Sequence, residues 1–173
     1  MTKLAFVFPG QGSQSVGMLD SWADNDAVKA VIDEASQALS QDLTTLIADG
    51  PAEDLNLTTN TQPVMLAASY AMYQAYLSAG GKSPELVAGH SLGEYTALAA
   101  AGTITLSDAV RLVRVRADAM QSAVPVGQGG MAAILGLDDE AVLEVCQAAR
   151  TEDSFVEAVN FNAPAQVVVA GPK

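Results

Sequence analysis

The period of the apolar positions changes from block to block along the chain, and each block predicts an element. Leu4-Ala5-Phe6-Val7-Phe8 is an unbroken apolar run, as for a strand covered on both faces, and Pro9-Gly10-Gln11-Gly12-Ser13-Gln14 follows as a loop. Ala27, Val28, Val31, Ile32, Ala35 and Leu39 recur at helical spacing behind a cap at Asp24 or Asn25. A shorter helical piece spans 43–48 and is closed by Gly50-Pro51. The pattern then predicts a long helix over 61–79, with Pro63 in its first turn, Gly80-Gly81 at its end, and methionines and tyrosines as packing. Leu86 to Ala88 is a second short strand, and Tyr95 to Ala101 is helix-forming up to Gly102. Ser107 is placed to cap a helix that stops before Pro125. Beyond the glycines of 127–130 come a strand at 131–135, a helix at 139–150 capped by Asp138, and strands at 155–159 and 166–170.

This order divides the chain at the glycine-rich hinge, into 1–126 and 127–173. The second part, strand–helix–strand–strand, is the opening of a ferredoxin-like unit, which another helix and strand would complete. The sequence therefore reads as stopping inside a domain.

The stretch that concentrates chemistry is Leu86-Val87-Ala88-Gly89-His90-Ser91-Leu92-Gly93-Glu94-Tyr95. Strand, Gly-x-Ser-x-Gly and helix is the context of a nucleophile elbow: the glycines clear space where strand and helix crowd, and the turn projects the Ser91 hydroxyl. The backbone N–H of Leu92 points into the same space, at the positive end of the helix dipole, as an oxyanion donor would. The loop after the first strand is the other candidate. Gly10-x-Gly12 is followed by Ser15 where a dinucleotide fingerprint needs glycine, and Gly-Lys-Ser/Thr is missing, so it is neither that fingerprint nor a P-loop. It reads as a plain turn or as a ligand loop at the carboxyl end of a strand, with Gln11 between two glycines able to bring its backbone close.

The 107–124 helix adds a cation. Ala109, Leu112, Val113, Arg116 and Met120 share one stripe, which sets Arg116 on the inward face. Arg114 is spaced to pair with Asp118, and Arg111 with Asp108. An inward guanidinium needs an anion: a substrate carboxylate held bidentately, an internal acidic partner, or solvent reached by snorkelling. A general base for Ser91 is harder to find. His90 is the sole histidine; its side chain leaves the elbow in a different direction from that of Ser91, and Glu94 is a poor substitute.

Composition narrows the field. The 173 residues are 50% hydrophobic and carry a net charge of −12, which argues against nucleic-acid and anionic-membrane partners. The single cysteine, Cys146, excludes an internal disulfide and a cysteine-based metal cluster, and no ligand set has metal-binding spacing. The start of the chain lacks a signal-peptide core, and no run reaches membrane-spanning length. A soluble, cytoplasmic protein is the expectation.

Taken together, the 8–14 loop, the 89–95 elbow, Arg116 and Val159-Asn160-Phe161-Asn162 resemble the malonyl-CoA:acyl carrier protein transacylases of bacterial fatty acid synthesis, as do Gly50-Pro51-Ala52-Glu53 and Thr61-Gln62-Pro63. The resemblance implies an α/β fold: an α/β-hydrolase-like large domain, here incomplete, into which a ferredoxin-like small domain, also incomplete, is inserted. It implies Ser91 as the catalytic residue that accepts malonyl as an ester, Gln11 and Leu92 as the oxyanion hole, and Arg116 as the partner of the malonyl carboxylate. His90, Asn160 and Asn162 would line the site. The substrates would be malonyl-CoA and acyl carrier protein, with no cofactor, because the coenzyme A thioester is itself a substrate. The family's catalytic histidine lies in a Ser-His motif beyond the point where this chain ends, and its members are close to twice this length. That leaves two rivals open: a serine hydrolase or acyltransferase for uncharged acyl groups, and an inactive fragment that binds acyl carrier protein.

Overall fold

Two short strands, far apart in sequence, form the platform on which the elbow stands. β1 (Ala5–Phe8) pairs in parallel with β2 (Leu86–Gly89), from Ala5 opposite Leu86 to Phe8 opposite Gly89, so both strands end at one level. Mutual hydrogen bonds tie the start of the pair: Leu4 N donates to the Glu85 carboxylate at 2.6 Å, and Glu85 N donates to the Leu4 carbonyl at 2.9 Å. The computed structural model that shows this describes residues 3–125, 127–152 and 154–173. Phe6 and Phe8 stack edge-on against Tyr73, with ring centroids 5.4 and 5.9 Å apart. Val7, on the opposite face of β1, is 79% exposed. The expectation of a strand covered on both faces is thus corrected: an all-apolar run does not say how many faces the described residues cover.

Helices supply the core of the first unit, Met1–Met120. α1 (Asp26–Leu39) begins at Asn25, whose side-chain oxygen accepts from the amides of Ala27 and Val28. α2 (Leu43–Ala48) is capped by Asp42, and α3 (Ala52–Leu55) and a single 3-10 turn at Asp20–Trp22 were not legible in the pattern. α4 (Thr58–Ser78) starts three residues ahead of the predicted Thr61. The Leu57 carbonyl takes the amides of Asn60 and Thr61, and the Thr61 hydroxyl donates to the Leu55 carbonyl, so helical turns close before Pro63, which lies inside the helix. α5 (Leu92–Ala100) follows β2, and α6 (Leu106–Ala123) follows α5. The cap of α6 is Thr105, which accepts from Asp108 N at 3.0 Å; the predicted cap, Ser107, donates instead to Glu34. Val28, Ile32, Leu43, Leu55, Leu66, Leu92, Val110 and Val113 belong to one continuous buried cluster.

The second unit, Gln121–Lys173, is a three-stranded antiparallel sheet with one helix. Its strands are β3 (Gly129–Leu135), β4 (Glu157–Ala163) and β5 (Gln166–Pro172), in the order β3-β5-β4. α7 (Asp139–Ala148) is capped by Asp138, as predicted, and Val142 and Cys146 on α7 bury against Val167 of β5. β4 begins later and runs longer than the predicted 155–159, and the turn into β5 is only Pro164-Ala165, with Ala165 at φ 58°. The expected boundary at Val126 falls outside the described residues. The architecture is α/β, and among the described residues no helix is long and apolar enough to cross a membrane.

Candidate active site

Ser91 sits at the end of β2 with φ 54° and ψ −112°, a backbone conformation that a residue with a Cβ rarely adopts. The turn is held on both sides. Gly93 N donates to the His90 carbonyl at 2.9 Å, and Glu94 N donates to the Ser91 carbonyl at 3.2 Å. A Cβ on Gly89 would lie 2.0 Å from the Gly93 carbonyl, and one on Gly93 would lie 2.2 Å from the Phe8 carbonyl oxygen. Both glycines of Gly-x-Ser-x-Gly are therefore demanded by backbone contacts, as the motif predicts. Leu92 provides the first amide of α5, and its side chain is buried in the core, which anchors that end of the helix. Asn25, Asp42 and Asp138 each spend their side chain on capping a helix; Ser91 does not, and its hydroxyl is left for other partners.

One such partner is Arg116. Its Nη2 donates to Ser91 Oγ at 2.9 Å, its Nη1 donates to Gln62 Oε1 at 2.6 Å, and its guanidinium lies 5.8 Å from the centre of the Tyr95 ring. The structure thus brings the predicted cation to the predicted nucleophile, by a route that differs from the predicted stripe. The buried face of α6 is Leu106, Ala109, Val110, Val113 and Ala117. Leu112 and Met120 are about half exposed, and Arg116 stands at the edge of the buried face, neither in the core nor in open solvent. Arg114 donates to Gln41 in place of Asp118, while Arg111 pairs with Asp108 at 3.5 Å as the spacing predicts.

The loop after β1 runs beside the elbow, since a Cβ on Gly10 would lie 3.3 Å from the His90 carbonyl oxygen. Gln11 Nε2 donates to Thr58 Oγ1 at 3.2 Å, and Gln14 Nε2 donates to Asn56 Oδ1 at 2.8 Å, so the loop is fastened to the junction between α3 and α4. His90 is exposed, directly before Ser91. Asn160 and Asn162 lie within β4 of the second unit, beyond the expected strand end at 159, and Asn160 is paired with Val168. No group of three metal-ligating side chains occurs among the described residues. Gln62 is the site residue that sequence reasoning missed. Its signal was a buried-type helix position occupied by an amide, just before the apolar run Pro63-Val64-Met65-Leu66-Ala67-Ala68, which periodicity alone does not flag.

Parallel strands, a strained serine between a glycine-spaced strand and helix, and a guanidinium on its hydroxyl define an α/β protein with the strand–turn–helix geometry expected of a nucleophile elbow. The chain belongs to the acyl transferase domain family, which matches residues 5–173. It is 55% identical over 174 residues to the malonyl CoA-acyl carrier protein transacylase of Escherichia coli K12, covering 100% of this chain and 56% of that protein. The crystal structure of an acyl-carrier-protein S-malonyltransferase from Burkholderia pseudomallei superimposes with a TM-score of 0.91 at 68% identity, over 99% of this chain and 56% of that one. A malonyl-transacylase solved in complex with its type II polyketide synthase acyl-carrier protein gives a TM-score of 0.91 at 48% identity, over 99% of this chain and 56% of that one. The chain thus spans about half the length of the relatives it matches.

Proposed function

We propose that this chain carries the nucleophile and the acyl-carboxylate site of a malonyl-CoA:acyl carrier protein transacylase of fatty acid synthesis. The observation that carries the reading is the 2.9 Å hydrogen bond from Arg116 to Ser91 Oγ, a fixed cation beside a strained serine. An uncharged acyl group has no use for that cation, whereas a malonyl group presents a carboxylate that a guanidinium can take.

In the reaction, Ser91 Oγ attacks the thioester carbonyl of malonyl-CoA. The C–O bond forms, the C–S bond breaks, and coenzyme A leaves as a thiol. The phosphopantetheine thiol of acyl carrier protein then attacks the serine ester; a new C–S bond forms, the C–O bond to Ser91 Oγ breaks, and the thiol proton returns to Ser91. The amides of Gln11 and Leu92 stabilise the oxyanion in both halves, with Leu92 at the positive end of α5. His90 lines the site. The general base is a histidine from the remainder of the full-length protein, as the family resemblance implies. Thioester–ester exchange needs neither a metal nor a redox cofactor, and both substrates belong to the cytoplasm. In this reading the first unit is part of an α/β-hydrolase-like core, and the second is part of a ferredoxin-like subdomain.

The test is intact-mass measurement of the full-length protein with malonyl-CoA, before and after addition of acyl carrier protein. One malonyl group should appear on the protein, disappear when the carrier is added, and never appear on the Ser91→Ala variant. Arg116→Ala should lower malonyl transfer about 10- to 100-fold, the loss expected for charged hydrogen bonds, and should lower acetyl transfer far less. Equal losses for both acyl groups would remove Arg116 from the carboxylate site. Labelling that ends in free malonate at the same rate with or without the carrier would make the protein a hydrolase.

A further inference from the structure

We propose that Gln62 is the positioning residue for Arg116, and that its being a neutral amide is what keeps the guanidinium's charge available to an anionic acyl group. The inference rests on the malonyl-transfer reading above and adds a determinant of acyl specificity to it.

Gln62 is fully buried, at 0% exposure, in the second turn of α4. A guanidinium only donates hydrogen bonds, so the 2.6 Å contact with Arg116 Nη1 fixes which end of the amide faces the arginine: it is Oε1. The Gln62 Nε2 then points to Met120 and donates to its Sδ at 3.3 Å. A thioether is a weak acceptor, so the nitrogen end is held mainly by packing, and the arginine contact orients the side chain. Arg116 in turn uses one terminal nitrogen on Gln62 and the other on Ser91, which sets the plane of the guanidinium relative to the nucleophile.

Among the described residues, Arg116 meets neutral groups: an amide oxygen, a hydroxyl and the face of Tyr95. The ion pairs among the described residues are Lys82–Glu85, Arg111–Asp108 and Arg150–Glu157, and none includes Arg116. Burial makes the choice of partner matter. A glutamate at position 62 could reach the same nitrogen and would hold it more strongly, because charge-assisted pairs are stronger than neutral ones. It would also cancel the charge, and an incoming carboxylate would meet a closed ion pair with a like charge behind it. The amide orients the arginine without neutralising it. Gln62 touches Arg116 and not the reacting atoms, so it acts through the arginine.

The experiment measures kcat/KM for malonyl-CoA and for acetyl-CoA in the full-length protein, with Gln62→Glu, Gln62→Met and Arg116→Ala side by side. Gln62→Glu should lower malonyl kcat/KM about tenfold or more, through KM, and acetyl kcat/KM far less, so the malonyl-to-acetyl ratio collapses. Gln62→Met, similar in volume and unable to accept the hydrogen bond, should lower the ratio less. Thermal unfolding of each variant serves as the control for folding. If Arg116→Ala lowers the ratio while both Gln62 variants leave it at the wild-type value, the inference is overturned and the malonyl-transfer reading survives. A parallel fall for both acyl groups in both variants makes Gln62 a packing residue and also overturns it. If Arg116→Ala leaves the ratio unchanged, the malonyl-transfer reading itself fails and takes the inference with it.

Discussion

Gly93 packs so closely beneath the end of β1 that a Cβ at this position would sit 2.2 Å from the carbonyl oxygen of Phe8. The obstacle is backbone, so no side-chain rotation relieves it. Gly93→Ala should destabilise the protein by about 3 kcal/mol and displace the elbow, with loss of acyl transfer. Gly102→Ala is the control. Gly102 has φ +72° and open space around its Cβ position, so only backbone strain, about 1 kcal/mol, should be lost there, with activity kept. Denaturant titration and transfer assays on the two variants check the contrast, and equal costs would refute the steric account.

The strained backbone of Ser91 predicts a trade of stability against function. Ser91→Ala and Ser91→Gly both lack the hydroxyl, and both should fail to form an acyl-enzyme. Glycine alone relaxes at φ 54°, so Ser91→Gly should be the more stable of the two by about 1 kcal/mol. Thermal unfolding of both variants reads the difference. A Ser91→Ala protein as stable as Ser91→Gly would mean that the elbow holds no strain.

The acidic cap of α2 predicts a pH dependence. The Asp42 carboxyl is held below the ordinary aspartate value, chiefly by the Thr45 hydroxyl at 2.6 Å and then by the Thr45 amide at 2.9 Å. A lowered folded value means that the contribution is fully present above the ordinary aspartate value and is lost as pH falls through the lowered one. Asp42→Ala should therefore be less stable than wild type at neutral pH, and the gap should close in acid. A gap independent of pH would show that the ionised carboxylate adds nothing beyond packing.

Asn25 offers a cap without charge. Its side-chain oxygen accepts from Ala27 N at 3.0 Å and from Val28 N at 3.2 Å. Asn25→Ala should cost about 1 kcal/mol, with no change in that cost between neutral and acid pH. Urea unfolding at the two pH values separates this variant from Asp42→Ala.

The parts of the fold legible in the sequence were those with a local cause. Gly89 and Gly93 announce a crowded turn, the spacing of Val28, Val31, Ile32 and Ala35 announces one buried helix face, and Asp138 announces a cap. The early turns of α4 are buried on every side, from Thr61 to Ser69, so no period marked where the helix began or singled out Gln62. On α6 the apolar residues outnumber the buried positions, and sequence alone assigned Leu112 and Met120 to the core in place of Val110 and Ala117. Arg116 reached Ser91 regardless, because the edge of a buried face is where a long side chain turns back toward a site. The apolar pattern ended the strand at Val159, yet pairing with β5 carries β4 on through Asn160 to Ala163.

The parallel pairing of β1 with β2 also makes the site depend on parts of the chain that are far apart in sequence. Leu4 and Glu85, which close the start of that pair, are separated by 81 residues of sequence, and most of those residues are helical. Closing so long a loop is entropically costly until the intervening helices have collapsed against one another. The Gln11 loop and the elbow therefore adjoin only because the chain returns across the whole helical stretch between them. A peptide containing only the Gly-His-Ser-Leu-Gly segment would own the motif and have no guanidinium to set beside its serine; the meeting of Ser91 with Arg116 is a property of the folded chain.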